Sequence, residues 1–161
     1  MGRGYIEYNL PDTRRCEWVL FSAFIDYRLD DGSKLHVEQA PAWCRSCRAF
    51  VVAESLQSIE ELERAMGELQ AGQTERLQLL AFIGKTVEEA MTELQKRLQW
   101  RRSRCIPPRC LHCGSVAIVP IPWSGEFAHP ETGEQVVTGD SGFADTAPWF
   151  ADFSPEGDQL A

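Results

Sequence analysis

From Trp18 to Leu29, apolar side chains recur at every second position: Val19, Phe21, Ala23, Ile25, Tyr27 and Leu29. A period of two predicts a strand with one buried face. Asp30-Asp31-Gly32 then supplies a turn, and Lys34-Leu35-His36-Val37 returns as the second strand of a hairpin. Cys16, Leu20, Phe24 and Tyr27 also fall near helical spacing, but the aromatic and β-branched content favours the strand. Two shorter apolar runs, Ala49–Glu54 and Val116–Val119, read as strands as well, the second stopped by Pro120 and Pro122.

Between those two runs the period changes. Ser58-Ile59-Glu60-Glu61 is a capping box, in which the serine hydroxyl accepts an amide bond and Glu61 reaches back. Ile59, Leu62, Met66 and Leu69 follow at spacings of three and four, the stripe of an amphipathic helix that ends at Ala71-Gly72-Gln73. A short apolar segment, Leu77–Ile83, is closed by Gly84. Thr86-Val87-Glu88-Glu89 opens a second capping box, and Val87, Ala90, Met91, Leu94 and Leu98 carry the stripe on towards Trp100. After Pro122 turn formers dominate, yet Trp123, Phe127, Val136, Phe143, Trp149, Phe150 and Phe153 are available for burial. Glu126–Ala128 and Gln135–Thr138, flanking Pro130–Gly133, predict a hairpin there.

Composition changes this picture little, with 43% hydrophobic and 25% charged residues in 161, ordinary for one globular domain. Charge changes it more. Residues 1–124 hold 16 basic and 16 acidic side chains, whereas 125–161 hold eight acidic and no basic ones, so the whole net charge of −8 sits in the tail. The start of the chain lacks an apolar leader and no stretch reaches about 18 apolar residues, so a cytoplasmic protein with no membrane association is expected.

The chemistry-bearing pattern is a pair of Cys-x-x-Cys units, Cys44/Cys47 and Cys110/Cys113, 62 residues apart. A two-residue gap lets both thiolates of a tight turn face one ion at about 2.3 Å, and in a reducing compartment six cysteines without a secretion signal point to metal rather than disulfides. These four residues are therefore the expected ligands of a structural Zn2+. Each knuckle is trailed by a strand, a local pattern similar to zinc ribbons, although a resemblance confined to these segments. Cys105 is a spare candidate ligand, and Cys16 reads as a free thiol. Trp43-Cys44-Arg45-Ser46-Cys47 also resembles the redox motif of thioredoxin-like enzymes, but that motif opens a helix, whereas residues 49–53 look extended.

Arg97, Arg101, Arg102, Arg104 and Arg109 form a basic run leading into the second knuckle, candidates for contact with nucleic acid or a partner, joined by Arg45 and Arg48. Cations at a helix end also complement its dipole. His36, His112 and His129 are scattered, and neither a Gly-x-Ser-x-Gly nor a phosphate loop is present. The expected architecture is α+β. A zinc-ribbon-like antiparallel β core (1–124) takes an inserted helical hairpin or three-helix unit over about 58–104, and an acidic segment (125–161) packs on the same domain. The expected function is that of a cytosolic, non-enzymatic protein-interaction or adaptor subunit held by structural zinc. The alternatives are a nucleic-acid-binding protein using the Arg-rich helix end, and an acidic inhibitor that blocks a basic site on a partner.

Overall fold

A computed structural model describes residues 3–73 and 86–161. It is a mixed α+β structure. In order, the elements are β1 (Arg3–Leu10), β2 (Arg15–Phe21), β3 (Phe24–Arg28), β4 (Lys34–His36), β5 (Gln39–Cys44), β6 (Ala49–Glu54), α1 (Ile59–Gln70), α2 (Val87–Ser103), β7 (Ile118–Pro120), β8 (Glu126–Ala128), β9 (Gln135–Ala144) and β10 (Phe150–Phe153). The strands form three sheets, ordered β2-β1-β9-β8, β10-β3-β4 and β6-β5-β7.

The run from Trp18 to Leu29 is two strands, not one. Ser22 breaks it: its amide binds Gln39 Oε1 at 3.0 Å, its carbonyl accepts from Gln39 Nε2 at 2.6 Å, and its hydroxyl donates to the Trp149 carbonyl. With those groups satisfied by side chains and loop, the ladder stops, β2 stays beside β1, and β3 starts another sheet. β3 and β4 pair antiparallel around a turn with Gly32 at φ 82°, a left-handed conformation that glycine adopts without steric penalty. On its other edge β3 receives β10, a strand of the acidic segment, in parallel, while the other strand pairs are antiparallel as expected of the core.

Alternation places Ile6, Tyr8, Leu10, Val19 and Val136 on the inner face of the four-stranded sheet. They meet Ile25, Tyr27 and Leu35 of the second sheet and Trp43, Phe50 and Val52 of the third in one core. Large side chains buried to this degree stabilise by about 1.5–3 kcal/mol each. The opposite face of the third sheet carries small residues, Ala42, Cys44, Val51 and Ala53, packed around Cys110. β7 begins two residues later than the sequence pattern suggests, because Ala117 is held in a turn by the Ser115 hydroxyl (3.0 Å). Pro120 is its last residue rather than its stop, tolerated because β7 is an edge strand.

Both helices start at the capping boxes read from sequence, with Ser58 and Thr86 accepting from the amides of Glu61 and Glu89. Leu62, Ala65 and Leu69 of α1 pack on Ala90, Leu94 and Leu98 of α2, a core separate from that of the sheets. The helical pair is tied down at its base. Trp100 packs at a tilt against Tyr27 with ring centroids 4.5 Å apart, Arg97 Nη2 donates to the His36 carbonyl at 2.9 Å, and Arg101 Nε donates to the Gln57 carbonyl at 2.9 Å. The apolar segment 77–83 lies outside the described residues, so the described insertion consists of two helices.

Residues of the acidic segment are strands of the same sheets: β9 pairs with β1, and β8 pairs with β9 across the turn at Gly133. Three of its carboxylates return to cations nearer the amino terminus. Glu134 meets Arg15 at 3.0 Å, Asp152 meets Arg28 at 2.6 Å and Lys34 at 3.1 Å, and Asp158 meets Arg109. Among the described residues no helix is long and apolar enough to cross a membrane.

Candidate metal centre

One knuckle is the turn between two strands of the third sheet, and the other begins in a segment that pairs with that sheet. Cys44 ends β5, and Cys47 lies in the turn to β6. Cys110 pairs with Ala53 of β6, where Glu54 N donates to the Arg109 carbonyl at 2.9 Å and Leu111 N donates to that of Val52 at 3.2 Å. β6 thus lies between β5 and the strand-like 109–111 segment, and that pairing brings the four sulfurs together across 62 residues of sequence.

In each knuckle a loop amide donates to the first sulfur, from three residues on in the first and from two residues on in the second. In the first, Cys47 N donates to Cys44 Sγ at 3.4 Å; in the second, His112 N donates to Cys110 Sγ at 3.4 Å. Each is followed by a residue in the left-handed region, Arg48 at φ 52° and Gly114 at φ 75°. Ser46 and Ser115 join the two tips by a 2.8 Å hydroxyl bond, and Arg45 N binds the Ala117 carbonyl at 2.9 Å.

The four Sγ atoms lie within 4.8 Å of one another, with Cys44–Cys113 at 3.6 Å and Cys47–Cys110 at 3.9 Å. A tetrahedral ion with metal–sulfur bonds of about 2.3 Å separates its ligands by about 3.8 Å, so this spacing can hold a metal ion. Burial pushes the Cys47 thiol far up and the Cys110 thiol up to about 11, and neighbouring thiols add to both. Burial would raise Cys113 too, but the Ser115 amide and the surrounding thiols bring it below the usual thiol range. Cys47 and Cys110 therefore resist ionising by themselves, and a bound cation would supply the compensating charge.

Directly behind the second knuckle is a buried polar network that the sequence pattern does not announce. Glu54, the last residue of β6, has a fully buried side chain paired fork to fork with Arg104, which is equally buried, at 2.7 and 2.6 Å. Tyr27 Oη donates to Glu54 Oε1 at 2.6 Å, and Arg109 N donates to Oε2 at 2.8 Å. Arg104 also donates from Nε to the Ile106 carbonyl at 3.1 Å and lies over the Trp100 ring. Burial, then the Glu54 carboxylate, pushes the Tyr27 hydroxyl well above its ordinary range. Burial opposes the charge on Arg104, but Glu54 outweighs it and raises the guanidinium's affinity for its proton. Gly157 covers the pair: at φ 90°, an added Cβ there would stand 2.6 Å from Glu54 Oε1 and 2.9 Å from Arg104 Nη2.

The basic run therefore divides differently from its reading as a surface. Arg97 and Arg104 are interior side chains, 4% and 6% exposed, because each carries an ion pair or carbonyl bond that fastens the helices to the sheets. Arg101 binds the Gln57 carbonyl, Arg102 binds Glu63 at 2.7 Å, and Arg109 binds Asp158. Cys16 and Cys105 are exposed and stand outside the cluster of four. His112 is exposed in its knuckle, while His129 is buried against Trp43 and accepts the Glu131 and Thr132 amides on Nδ1 at 3.1 and 3.2 Å. His36 lines an open groove between β4 and α2 with Asp26, Lys34, Glu88, Glu89 and Glu93. Several carboxylates of that groove are engaged, Asp26 with Lys34 and His36, Glu89 at the α2 cap. Glu54, Tyr27 and Gly157 are the residues missed from sequence; the one available signal was an acidic residue closing an otherwise apolar strand. Neither family models nor curated proteins nor solved structures give a match to this chain.

Proposed function

We propose that Cys44, Cys47, Cys110 and Cys113 bind one structural Zn2+ in a zinc-ribbon-like arrangement, and that the chain is a non-enzymatic interaction module whose surfaces this ion positions. The convergence of four thiols at tetrahedral spacing carries the reading. Four thiolates fill the coordination shell of zinc, which leaves no position for a reacting water and favours a structural role over a catalytic one. Soft sulfur donors in a tetrahedron suit zinc or iron and disfavour magnesium and calcium.

When bound, the ion would offset thiolate charge and tie the β5–β6 turn to the 110–113 turn. The protein's own residues do the rest: the Cys47 and His112 amides orient two of the sulfurs, and β6 sets the distance between the halves. The nucleic-acid alternative loses much of its contact set, since Arg97 and Arg104 are interior. The inhibitor alternative is weakened in the same way by Glu134, Asp152 and Asp158, whose charges are already paired.

Cobalt substitution tests the site. Full-length protein refolded with Co2+ should develop the intense visible and near-ultraviolet bands of a tetrahedral tetrathiolate, with one metal per chain, and Cys44→Ser or Cys113→Ser should weaken them. A pale octahedral spectrum, or a spectrum indifferent to those substitutions, would remove the proposal.

A further inference from the structure

The chain carries 24 acidic residues, yet in the segments that build β5, β6, β7 and both knuckles (39–54 and 105–125) the one carboxylate is that of Glu54, the last residue of β6. Glu54 also lines the groove described next, but its carboxylate is buried and paired with Arg104, so this lobe presents no free carboxylate of its own in an acidic protein. Arg45 and Arg48 stand exposed on either side of Cys47, and among the described residues neither guanidinium has a hydrogen-bond or ion-pair partner. This contrasts with Arg97, Arg104 and Arg109, which are consumed internally.

Next to the turn that carries Arg45 runs an apolar groove of about 410 Å³. Its floor includes Ala42 and Ala53, small enough to let another backbone come close, and its walls include Pro107 and Pro108 on one side and Val116 and Ile118 on the other. Val116 is half exposed, at 52%. The Arg45 amide bond to Ala117 places the basic turn at this end of the groove. The prolines have no N–H to pair, so those walls offer packing surface rather than hydrogen bonds.

On the interaction-module reading above, we infer that this groove docks an extended segment of a partner protein in which apolar residues are followed by Asp or Glu. The apolar side chains fill the groove between the proline wall and Val116, and the carboxylates reach Arg45 and Arg48. Charge complementarity selects this occupant, because the surrounding acidic surface repels any anion that does not align with the two arginines. A nucleic acid is the poorer fit: two guanidinium groups neutralise few phosphates, and apolar walls offer a sugar–phosphate backbone nothing to bind. The small floor fits an extended chain better than a helix, whose diameter with side chains is about 10–12 Å.

The test is selection of a random-peptide display library on the full-length, zinc-loaded protein, followed by titration of the enriched synthetic peptide. Expected are enriched sequences with an apolar stretch and an acidic end, bound with affinity that falls as salt rises. Arg45→Glu with Arg48→Glu, and separately Val116→Asp, should each weaken binding about tenfold or more. Metal content is measured for every variant, so that loss of zinc, which would count against the site itself, is separable from loss of peptide binding. Basic or uncharged enriched sequences, equal binding by the variants, or no enrichment would overturn the inference. So would displacement of the peptide by mixed-sequence single-stranded DNA, or its exclusion by a dimer seated on the groove.

Discussion

Replacing Glu54 with Gln keeps the side chain's shape and removes its charge, leaving the Arg104 guanidinium buried without a counter-ion. Both side chains are fully shielded and bonded at 2.6–2.7 Å, so solvent cannot take over the lost interaction. Breaking one partner of such a pair costs about 3–5 kcal/mol. Against a total stability of about 5–15 kcal/mol that is a large fraction. For a chain of this size it corresponds to a fall in Tm of about 6–20 °C. The pair itself is a different matter. Replacing it by Glu54→Leu with Arg104→Met removes the desolvated charges together, which is often neutral or stabilising by about 1–4 kcal/mol. Here two donors lose their acceptor, Tyr27 Oη and Arg109 N, each a penalty of about 1–3 kcal/mol. The double variant should therefore lie well above the sum of the single ones. Urea unfolding in saturating zinc, with midpoints and slopes for wild type, Glu54→Gln, Glu54→Leu, Arg104→Met and the double variant, measures this coupling. A Glu54→Gln loss below about 1 kcal/mol, or simple additivity of the leucine and methionine changes, would refute the reasoning.

Gly157→Ala should lower stability by about 2 kcal/mol or more, since a left-handed backbone alone costs a non-glycine residue about 1–2 kcal/mol and the new methyl presses on the Glu54–Arg104 pair; denaturant midpoints read this directly, and an unchanged midpoint would count against the packing described. Glu38 gives a pH dependence. Burial, only partly opposed by Arg97, holds its carboxyl above the usual range, so the ionised form costs stability at neutral pH. That cost disappears as pH falls through the raised native value to the unfolded one near about 4.3. Glu38→Gln is accordingly expected to be the more stable protein at pH 7 and equal to wild type below about pH 4; paired thermal melts across that range check both halves of the statement.

The helices were legible because the residues that start them and the stripe that buries them are local: Ser58 with Glu61, Thr86 with Glu89, and apolar side chains at spacings of three and four. The grouping of the four cysteines was legible because two Cys-x-x-Cys units at a fixed short gap are a pattern that can hold a metal, and the four sulfurs do converge. What sequence did not reveal depends on pairing across the chain. The break at Ser22 is made by Gln39 and the 149 loop, and the parallel partner of β3 comes from the far end of the chain. Glu54 and Arg104 meet over a separation of 50 residues, and each looks like a surface charge until its partner is known. Arg104 belongs to a basic run in sequence, yet its neighbours in space are a carboxylate and two aromatic rings.

The clasp formed by the two knuckles is the centre of this account, and metal removal tests it most directly. One zinc per chain should be found in the purified protein; its removal by a chelator, verified by metal analysis, should lower Tm and speed amide exchange in residues 49–54 and 109–113. Cys110→Ser should do the same without chelator. An unchanged melting temperature and unchanged exchange after verified removal of the metal would contradict the account.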